Sequence, residues 1–271
     1  MVNIQLARHY FVSTDNYWLE GYIYDQNALV VTFEHAGGER PRPDSLRTGW
    51  SSHFFRKRRV SHLCVKPAFI DWYQHRDLAD AIIALRNRGF FLSFEKVVTY
   101  GASMGGFGAL AYADLIGAQT VVALNPQSTQ NRKIAPWDTR FPVSQQTPMD
   151  GPYADAVGKY RKAKDVIIVG DRHDHEDGLH MKRLAAPNVR ILNTPFMGHG
   201  VAAYLNGMGL LAAIIMQPLR WGRDDGMLFE GLRKRRNFPH YYDNMLRHDR
   251  VKNSPRFTDI VTRAKMQNTG K

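Results

Sequence analysis

A serine lies between two glycines directly after an apolar, β-branched run. Residues 97–102 read Val-Val-Thr-Tyr-Gly-Ala, and Ser103-Met104-Gly105-Gly106 follows. Gly-x-Ser-x-Gly between a strand and a helix is typical of a nucleophile on a sharp turn, with its hydroxyl raised above the sheet edge. The glycines remove side chains that would clash where strand and helix fold back on each other. The pattern therefore predicts that Ser103 is the nucleophile of an acyl-transfer reaction.

A nucleophilic serine needs a general base, and the base needs a carboxylate that orients it. Gly198-His199-Gly200 follows the strand-like run 189–192, and its two glycines suit a loop that presents an imidazole. Another strand-like run, 166–169, is followed by three aspartates, which are Asp171, Asp174 and Asp177. Asp174 is slightly favoured as the orienting acid and Asp171 stays an alternative, while Asp177 is a third and poorer candidate.

Ser103, an aspartate and His199 occur in this order, each after a strand-like run, so the chain resembles the α/β-hydrolase superfamily from about residue 22 to about residue 216. The resemblance implies that Ser103 is the nucleophile, that His199 is the general base and acid, and that a carboxylate holds the imidazole tautomer. These roles predict a two-step reaction through an acyl-enzyme.

The same resemblance implies an oxyanion hole made by two backbone N–H groups. One belongs to Met104, directly after the serine, and the other to the loop after the strand-like run 29–34. That loop reads His-Ala-Gly-Gly over residues 35–38 and looks like the His-Gly-type loop of esterases, with alanine in place of the first glycine. Ala36 and Gly37 both remain candidates for the second donor.

Strand-like and helical segments alternate along the chain, which indicates a parallel sheet with crossover connections. The predicted strands are 21–24, 29–34, 60–65, 97–100, 120–124, 166–169 and 189–192, and the predicted helices are 78–88, 105–115, 154–162, 178–184 and 202–216. We expect an α/β fold of the α/β-hydrolase type, with a mostly parallel sheet and helices on both faces. The proline-containing stretch 125–152 occupies the chain position of a lid and predicts a small lid or none.

The composition changes near residue 217. Residues 1–217 are predicted to form the hydrolase-like catalytic domain, and residues 218–271 a short, basic helical tail. From Leu219 to Lys271 there are 13 Lys and Arg against 6 Asp and Glu, a net charge of +7 within the +12 of the whole chain. Two segments that begin at Asn237 and Asn253 share the pattern Asn-x-Pro-x-aromatic-x-Asp-x-apolar-x-Arg, which predicts two short helices.

The charge and the single cysteine restrict the partners and the compartment. A net charge of +12, with basic runs at 56–59 and 233–236, mildly favours an anionic substrate such as an acidic glycan, and no nucleic-acid motif accompanies these runs. No apolar run approaches the roughly 18 residues of a membrane span. Cys64 has no partner for an internal disulfide, and the N-terminus lacks a signal-like pattern. Both favour a cytoplasmic location.

The favoured function is that of a serine esterase, which cleaves a carboxyl ester or a related acyl bond without metal or cofactor. One alternative is a metal-dependent hydrolase, since His173-x-His175-x-Asp177 looks like the metal-binding motif of the metallo-β-lactamase superfamily. That motif ends in histidine, where this chain has Gly178. The other is a non-catalytic hydrolase-fold scaffold whose basic tail binds a partner, because a fold alone does not establish activity.

Overall fold

Runs of β-branched and aromatic residues form a central sheet. The computed structural model describes residues 8–37, 47–142, 147–219 and 225–270. Within these ranges the sheet has eight strands. They are β1 Arg8–Ser13, β2 Tyr17–Ile23, β3 Ala28–Phe33, β4 Ser61–Pro67, β5 Lys96–Ala102, β6 Thr120–Leu124, β7 Asp165–Gly170 and β8 Val189–Asn193.

The strand order is β1-β2-β4-β3-β5-β6-β7-β8. Only β2 runs against its neighbours β1 and β4, and the pairs from β4 to β8 are parallel. All seven predicted strands are present, and β1 was not predicted. Its side chains are mostly exposed, so it carries no buried alternation for the sequence to reveal. Because parallel strands end at one edge, the loops after β3, β5, β6, β7 and β8 meet there.

Helices cover both faces of the sheet, as predicted. They are α1 Ser52–Lys57, α2 Arg76–Asn87, α3 Met104–Ala111, α4 Ala113–Ile116, α5 His175–Arg183, α6 Val201–Gly207 and α7 Leu211–Met216. Val31, Val97 and Val121 pack with α2, α3, α4 and α5 on one face, whereas their chain neighbours Val30, Val98 and Val122 pack with α1, α6 and α7 on the other. Successive side chains of a strand point to opposite faces, so each of these strands contributes side chains to the apolar core on both faces of the sheet.

Two predicted helices differ from the structure. Residues 154–162 form turns and not a helix, because Thr129 forms an isolated antiparallel bridge with Asp155 and donates its hydroxyl to the carbonyl of Ala154 at 2.6 Å. The predicted helix 202–216 is broken between α6 and α7, where Gly209 has a φ of +75°. That conformation ends helices and favours glycine. The described part of 125–152 contains no α-helix, in keeping with a small lid or none.

Among the described residues, no single helix is long and apolar enough to cross a membrane. The segments Gly198–Gly207 and Leu211–Leu219 reach that length and composition only as a pair, and they meet at an angle of 93°.

The C-terminal part of the chain is helical, with α8 Asp225–Gly231, α9 Pro239–Arg247, α10 Asp249–Lys252 and α11 Pro255–Thr269. The two repeat prolines stand in the first turns of α9 and α11, as the repeat predicted. Tyr242, Val251 and Val261 bury a small apolar cluster between these helices. Asn244 of α9 donates its amide to the carbonyl of Phe196 at 3.1 Å, which ties the tail to the loop before His199. The division at residue 217 stays a prediction.

The turn between β5 and α3 leaves no space for a side chain at Gly105, where a Cβ atom would lie 2.1 Å from the carbonyl oxygen of Phe33. We expect Gly105→Ala to lower the free energy of unfolding by about 3 kcal/mol or more, because backbone must move to relieve the overlap. The control is Gly117→Ala, at a φ of +80° with no atom within 4 Å of the added Cβ, which costs about 1–2 kcal/mol. Urea unfolding measures both, and an equal or smaller loss in Gly105→Ala contradicts this account of the turn.

Candidate active site

Ser103 lies between β5 and α3 in a strained conformation, with φ 53° and ψ −121°. A non-glycine residue in this region is uncommon and needs surrounding structure to hold it. The Ser103 N–H donates to the carbonyl of Leu124 at 2.9 Å, and its own carbonyl accepts from the N–H of Phe107, also at 2.9 Å. These bonds fix the turn to β6 on one side and to the first turn of α3 on the other.

His199 connects Ser103 to a buried carboxylate. The Ser103 Oγ lies 3.0 Å from His199 Nε2, and both carboxylate oxygens of Asp177 lie 2.9 Å from Nδ1. A carboxylate only accepts hydrogen bonds, so Nδ1 carries the ring proton and Nε2 is left to accept from the serine. The Asp177 side chain is 1 % exposed, and that of His199 is 29 % exposed. The arrangement therefore places a hydroxyl, an imidazole and a carboxylate in one chain of hydrogen bonds.

The contact favoured from sequence, between His199 and Asp174 or Asp171, is not formed. Asp174 is the N-cap of α5, where it accepts the N–H of Asp177 at 3.0 Å. Asp171 accepts the N–H of His173 at 2.9 Å and that of Gly198 at 2.8 Å. These hydrogen bonds fix the loop before α5 and the loop before His199. Asp177, in the first turn of α5, is the carboxylate that contacts the imidazole.

Burial raises the pKa of Asp174, and the nearby negative charge of Asp177 raises it further. Asp174 caps the helix by accepting the N–H of Asp177, and it thereby positions the residue that contacts His199.

Arg140 also binds the carboxylate of Asp177, and its Nη1 lies 3.5 Å from His199 Nδ1. Its Nη1 donates to Asp177 Oδ1 at 2.9 Å, while Nε and Nη2 donate to the two oxygens of Asp138 at 3.0 and 2.9 Å. Both carboxylates are 1 % exposed. Sequence reasoning missed Arg140 and Asp138, because both lie in the irregular stretch 125–152 and carry no motif.

A second histidine extends this network. His180, one turn after Asp177 on α5, is fully buried; the N–H of Ser128 donates to its Nδ1 at 3.1 Å, so its Nε2 donates to Asp138 at 3.0 Å. Burial raises the pKa of Asp138, but the hydrogen bonds from His180 and Arg140 outweigh it, and the pKa lies well below its usual range. Asp138 therefore stays ionised and balances the charge of Arg140.

Two buried amides lie beside Ser103 and His199. Gln127 Nε2 lies 3.3 Å from Ser103 Oγ, and Asn125 Nδ2 lies 3.3 Å from His199 Nε2. Asn125 has a φ of 36°, so the end of β6 is strained as well. Sequence reasoning did not single them out. The available signal was their place directly after the strand-like run 120–124, at the edge where Ser103 lies.

A cavity of about 550 Å³ opens in front of Ser103 and His199. Its walls are mainly apolar, with Trp50, Phe141 and Leu211 among them, and no Lys or Arg of the described residues lines it. The two candidate oxyanion donors Ala36 and Gly37 also line it. Met104, the other predicted donor, is buried as the first residue of α3, whereas Gly38 lies outside the described residues.

The metal-ligand cluster that the alternative function needs, His173, His175 and Asp177, is not assembled. The ring of His173 stacks on Phe196 at 4.4 Å between centroids, and Asp177 is occupied by His199 and Arg140. In the part of the chain that the structure describes, no group of three or more His, Cys, Asp or Glu side chains is arranged to hold a metal ion. The geometry therefore gives the alternative of a metal-dependent hydrolase no support.

The fold is of the α/β-hydrolase type, as the sequence resemblance predicted. Similar solved structures include fluorophosphonate-binding serine hydrolase F (FphF) of Staphylococcus aureus, at 12% identity and a TM-score of 0.51, with 79% of this chain and 99% of that one covered. An esterase/lipase from an uncultured bacterium is 13% identical, with a TM-score of 0.50 and coverage of 84% and 85%. The apo form of ESTFA is 14% identical, with a TM-score of 0.53 and coverage of 81% and 84%.

No family model matches the sequence, and no curated protein matches it either. At these identities the solved structures establish the fold alone, so the chemistry has to be argued from the site.

The network predicts that Arg140 stabilises the folded protein strongly. Arg140→Met leaves Asp138 and Asp177 buried without their guanidinium partner, and we expect a loss of about 3–5 kcal/mol in the free energy of unfolding. The control is Arg76→Met, because Arg76 pairs with Asp80 at 3.6 Å on the surface, where the pair contributes at most about 1 kcal/mol. Chemical denaturation compares them, and similar losses in the two variants contradict a buried role for Arg140.

Proposed function

We propose that this protein is a serine hydrolase that cleaves a carboxyl ester, or a related acyl bond, through Ser103, His199 and Asp177. The observation that carries the proposal is the chain of contacts, 3.0 Å and then 2.9 Å, from a hydroxyl on a strained turn to a buried carboxylate. A nucleophile beside a base that is itself oriented by an acid is the arrangement that serine catalysis requires.

In the first step, His199 Nε2 takes the proton of Ser103 as Oγ attacks the ester carbonyl and an oxyanion forms. Asp177 accepts the hydrogen bond from Nδ1 and stabilises the imidazolium. His199 then gives the proton to the leaving alcohol oxygen, and the acyl group stays on Ser103 as an ester. In the second step, His199 deprotonates a water that attacks this ester, and Ser103 recovers its proton as the acid leaves.

The oxyanion donors in this proposal are the N–H of Met104 and an N–H of the loop at Ala36 and Gly37. Both loop residues line the cavity with Ser103, and Gly37 has a φ of +65°, which turns its peptide in a way that other residues rarely adopt. A donor of this kind contributes about 3–4 kcal/mol to transition-state stabilisation. Replacing Gly37 should therefore cost less activity than replacing Ser103.

The cavity favours an uncharged ester with an apolar acyl or alcohol group. The net charge of +12 pointed mildly to an anionic substrate, yet no Lys or Arg of the described residues lines the space in front of Ser103. Trp50, which stacks on Tyr100 with centroids 4.7 Å apart, offers a firm apolar wall. A short-chain p-nitrophenyl ester is therefore the first substrate to test.

We expect a fluorophosphonate probe to label the wild-type protein covalently and to leave Ser103→Ala unlabelled, with no effect of a metal chelator. An activated serine hydroxyl displaces fluoride from such a probe, whereas an ordinary surface serine is too weak a nucleophile. In-gel fluorescence gives the readout, and circular dichroism shows that the variant is folded. Folded wild-type protein that takes up no probe contradicts the proposal and supports the non-catalytic scaffold, whereas ester cleavage that a chelator abolishes supports a metal site.

The acid of the triad is tested by three asparagine variants. We expect Asp177→Asn to lower kcat by about 10⁴-fold, because the amide favours the wrong imidazole tautomer. Asp174→Asn and Asp171→Asn keep a hydrogen-bond acceptor for the loop N–H groups, and a loss of less than about tenfold is expected of each. Initial rates on a p-nitrophenyl ester distinguish them. If Asp174→Asn loses the most, the acid favoured from sequence is the correct one.

A further inference from the structure

A second cavity, of about 730 Å³, lies between α5 and the C-terminal helices. One wall is made by the loop 172–174 and α5, and the other by Arg247, His248 and Asp249 at the junction of α9 and α10. It shares no lining residue with the cavity of Ser103. A smaller adjoining cavity of about 220 Å³ extends it to Gly198, behind His199. We refer to the larger cavity as the α5–α9 cleft.

Three cationic side chains line the α5–α9 cleft, Arg172 from the loop before α5, Lys182 from α5 and Arg247 from α9. In the described part of the chain, none of the three has a carboxylate within ion-pair distance. Other arginines of the same region are paired, for example Arg183 with Asp155 at 2.7 Å and Arg190 with Asp165 at 2.9 Å. The cleft therefore brings together positive charges from three elements that form no ion pair with a described carboxylate.

The two carboxylates of the cleft do not supply this balance. Asp174 accepts the N–H of Asp177 at 3.0 Å and lies 3.6 Å from Arg140, on the catalytic side of α5. Asp249 pairs with Lys252 at 2.6 Å. Each is thus engaged with a group that does not line the cleft.

Imidazoles complete the lining. The ring of His173 stacks on Phe196 with centroids 4.4 Å apart, and His248 meets both rings edge-on, at 5.4 and 5.6 Å. These ring contacts hold the two histidines in the lining of the cleft, and each imidazole offers an N–H donor. His175, the first residue of α5, also lines the cleft.

We propose that the α5–α9 cleft binds a small multivalent oxyanion, a phosphorylated or polycarboxylated molecule, through Arg172, Lys182 and Arg247. The planar guanidinium fork matches phosphate and carboxylate oxygens in pairs, and lysine adds a compact point charge. A space of about 730 Å³ suits a ligand of this size. This site is separate from the ester-cleaving chemistry and does not depend on it.

Isothermal titration calorimetry with inorganic pyrophosphate and with citrate tests the proposal on the full chain. We expect the wild type to bind at least one of them, and Arg172→Gln/Arg247→Gln to bind at least tenfold more weakly. The control is Lys57→Gln/Lys162→Gln, which removes the same charge at two exposed positions outside both cavities and should change the affinity less than twofold. Tighter binding of pyrophosphate identifies a phosphorylated ligand, and tighter binding of citrate a carboxylated one.

Two outcomes overturn the proposal: neither anion binds the wild type, or both double variants weaken binding equally, which indicates attraction to the net charge alone. Because Arg247 lies on a tail helix, Lys182→Gln on α5 is made as well and should weaken binding on its own. Proton–carbon NMR locates the ligand: the imidazole signals of His173 and His248 should shift, and that of His9, on β1, should not. Hydrolysis of a p-nitrophenyl ester is measured separately, so a failure of either proposal is visible by itself.

Discussion

The site depends on one guanidinium held between two buried carboxylates. Asp138 and Asp177 lie close together with almost no solvent, and without Arg140 their repulsion and the loss of hydration would expel one of them or protonate it. With Arg140 between them, both remain charged and fixed. The same guanidinium joins the irregular stretch after β6 to α5, although 37 residues separate Arg140 from Asp177 along the chain. The position of the imidazole therefore follows from a charge balance that extends beyond Ser103, His199 and Asp177.

The sheet supplies the rigid frame for that balance. Ser103 follows β5, Asn125 follows β6, and Phe196 stands shortly after β8, and all three have positive φ values. Strained backbone persists only where the surroundings hold it. Here the hydrogen bonds between the parallel strands hold it, because they fix the residue at which each loop begins. Strain after three of the four consecutive strands β5 to β8 places the hydroxyl, the amide and the histidine loop at the same edge of the sheet.

A residue of this site can be predicted from the sequence when the signal that marks it is local, and not when it depends on partners that are distant along the chain. Ser103 and His199 could be found because their glycines and preceding strands are local signals. Asp177 was ranked last of three aspartates, because the choice depends on where α5 begins and which side of it faces the imidazole. Arg140 could not be found, since its partners are distant in sequence and no motif marks it. The prediction of a helix over 154–162 was wrong for a similar reason, because the bridge between Asp155 and Thr129 joins residues that are distant in sequence.

Three polar residues of α5 and its cap, Asp174, Asp177 and His180, are spaced three apart, and successive positions on an α-helix differ by about 100°. Asp174, which caps the helix, Asp177, which binds His199, and His180, which binds Asp138, therefore lie along one side of α5. Inserting a single residue within 175–179 would rotate the later members away from their partners, while lengthening the loop before Asp174 would leave their phase unchanged. Among sequences that keep this architecture, insertions and deletions should therefore occur in the loop before Asp174 and be absent between Asp174 and His180.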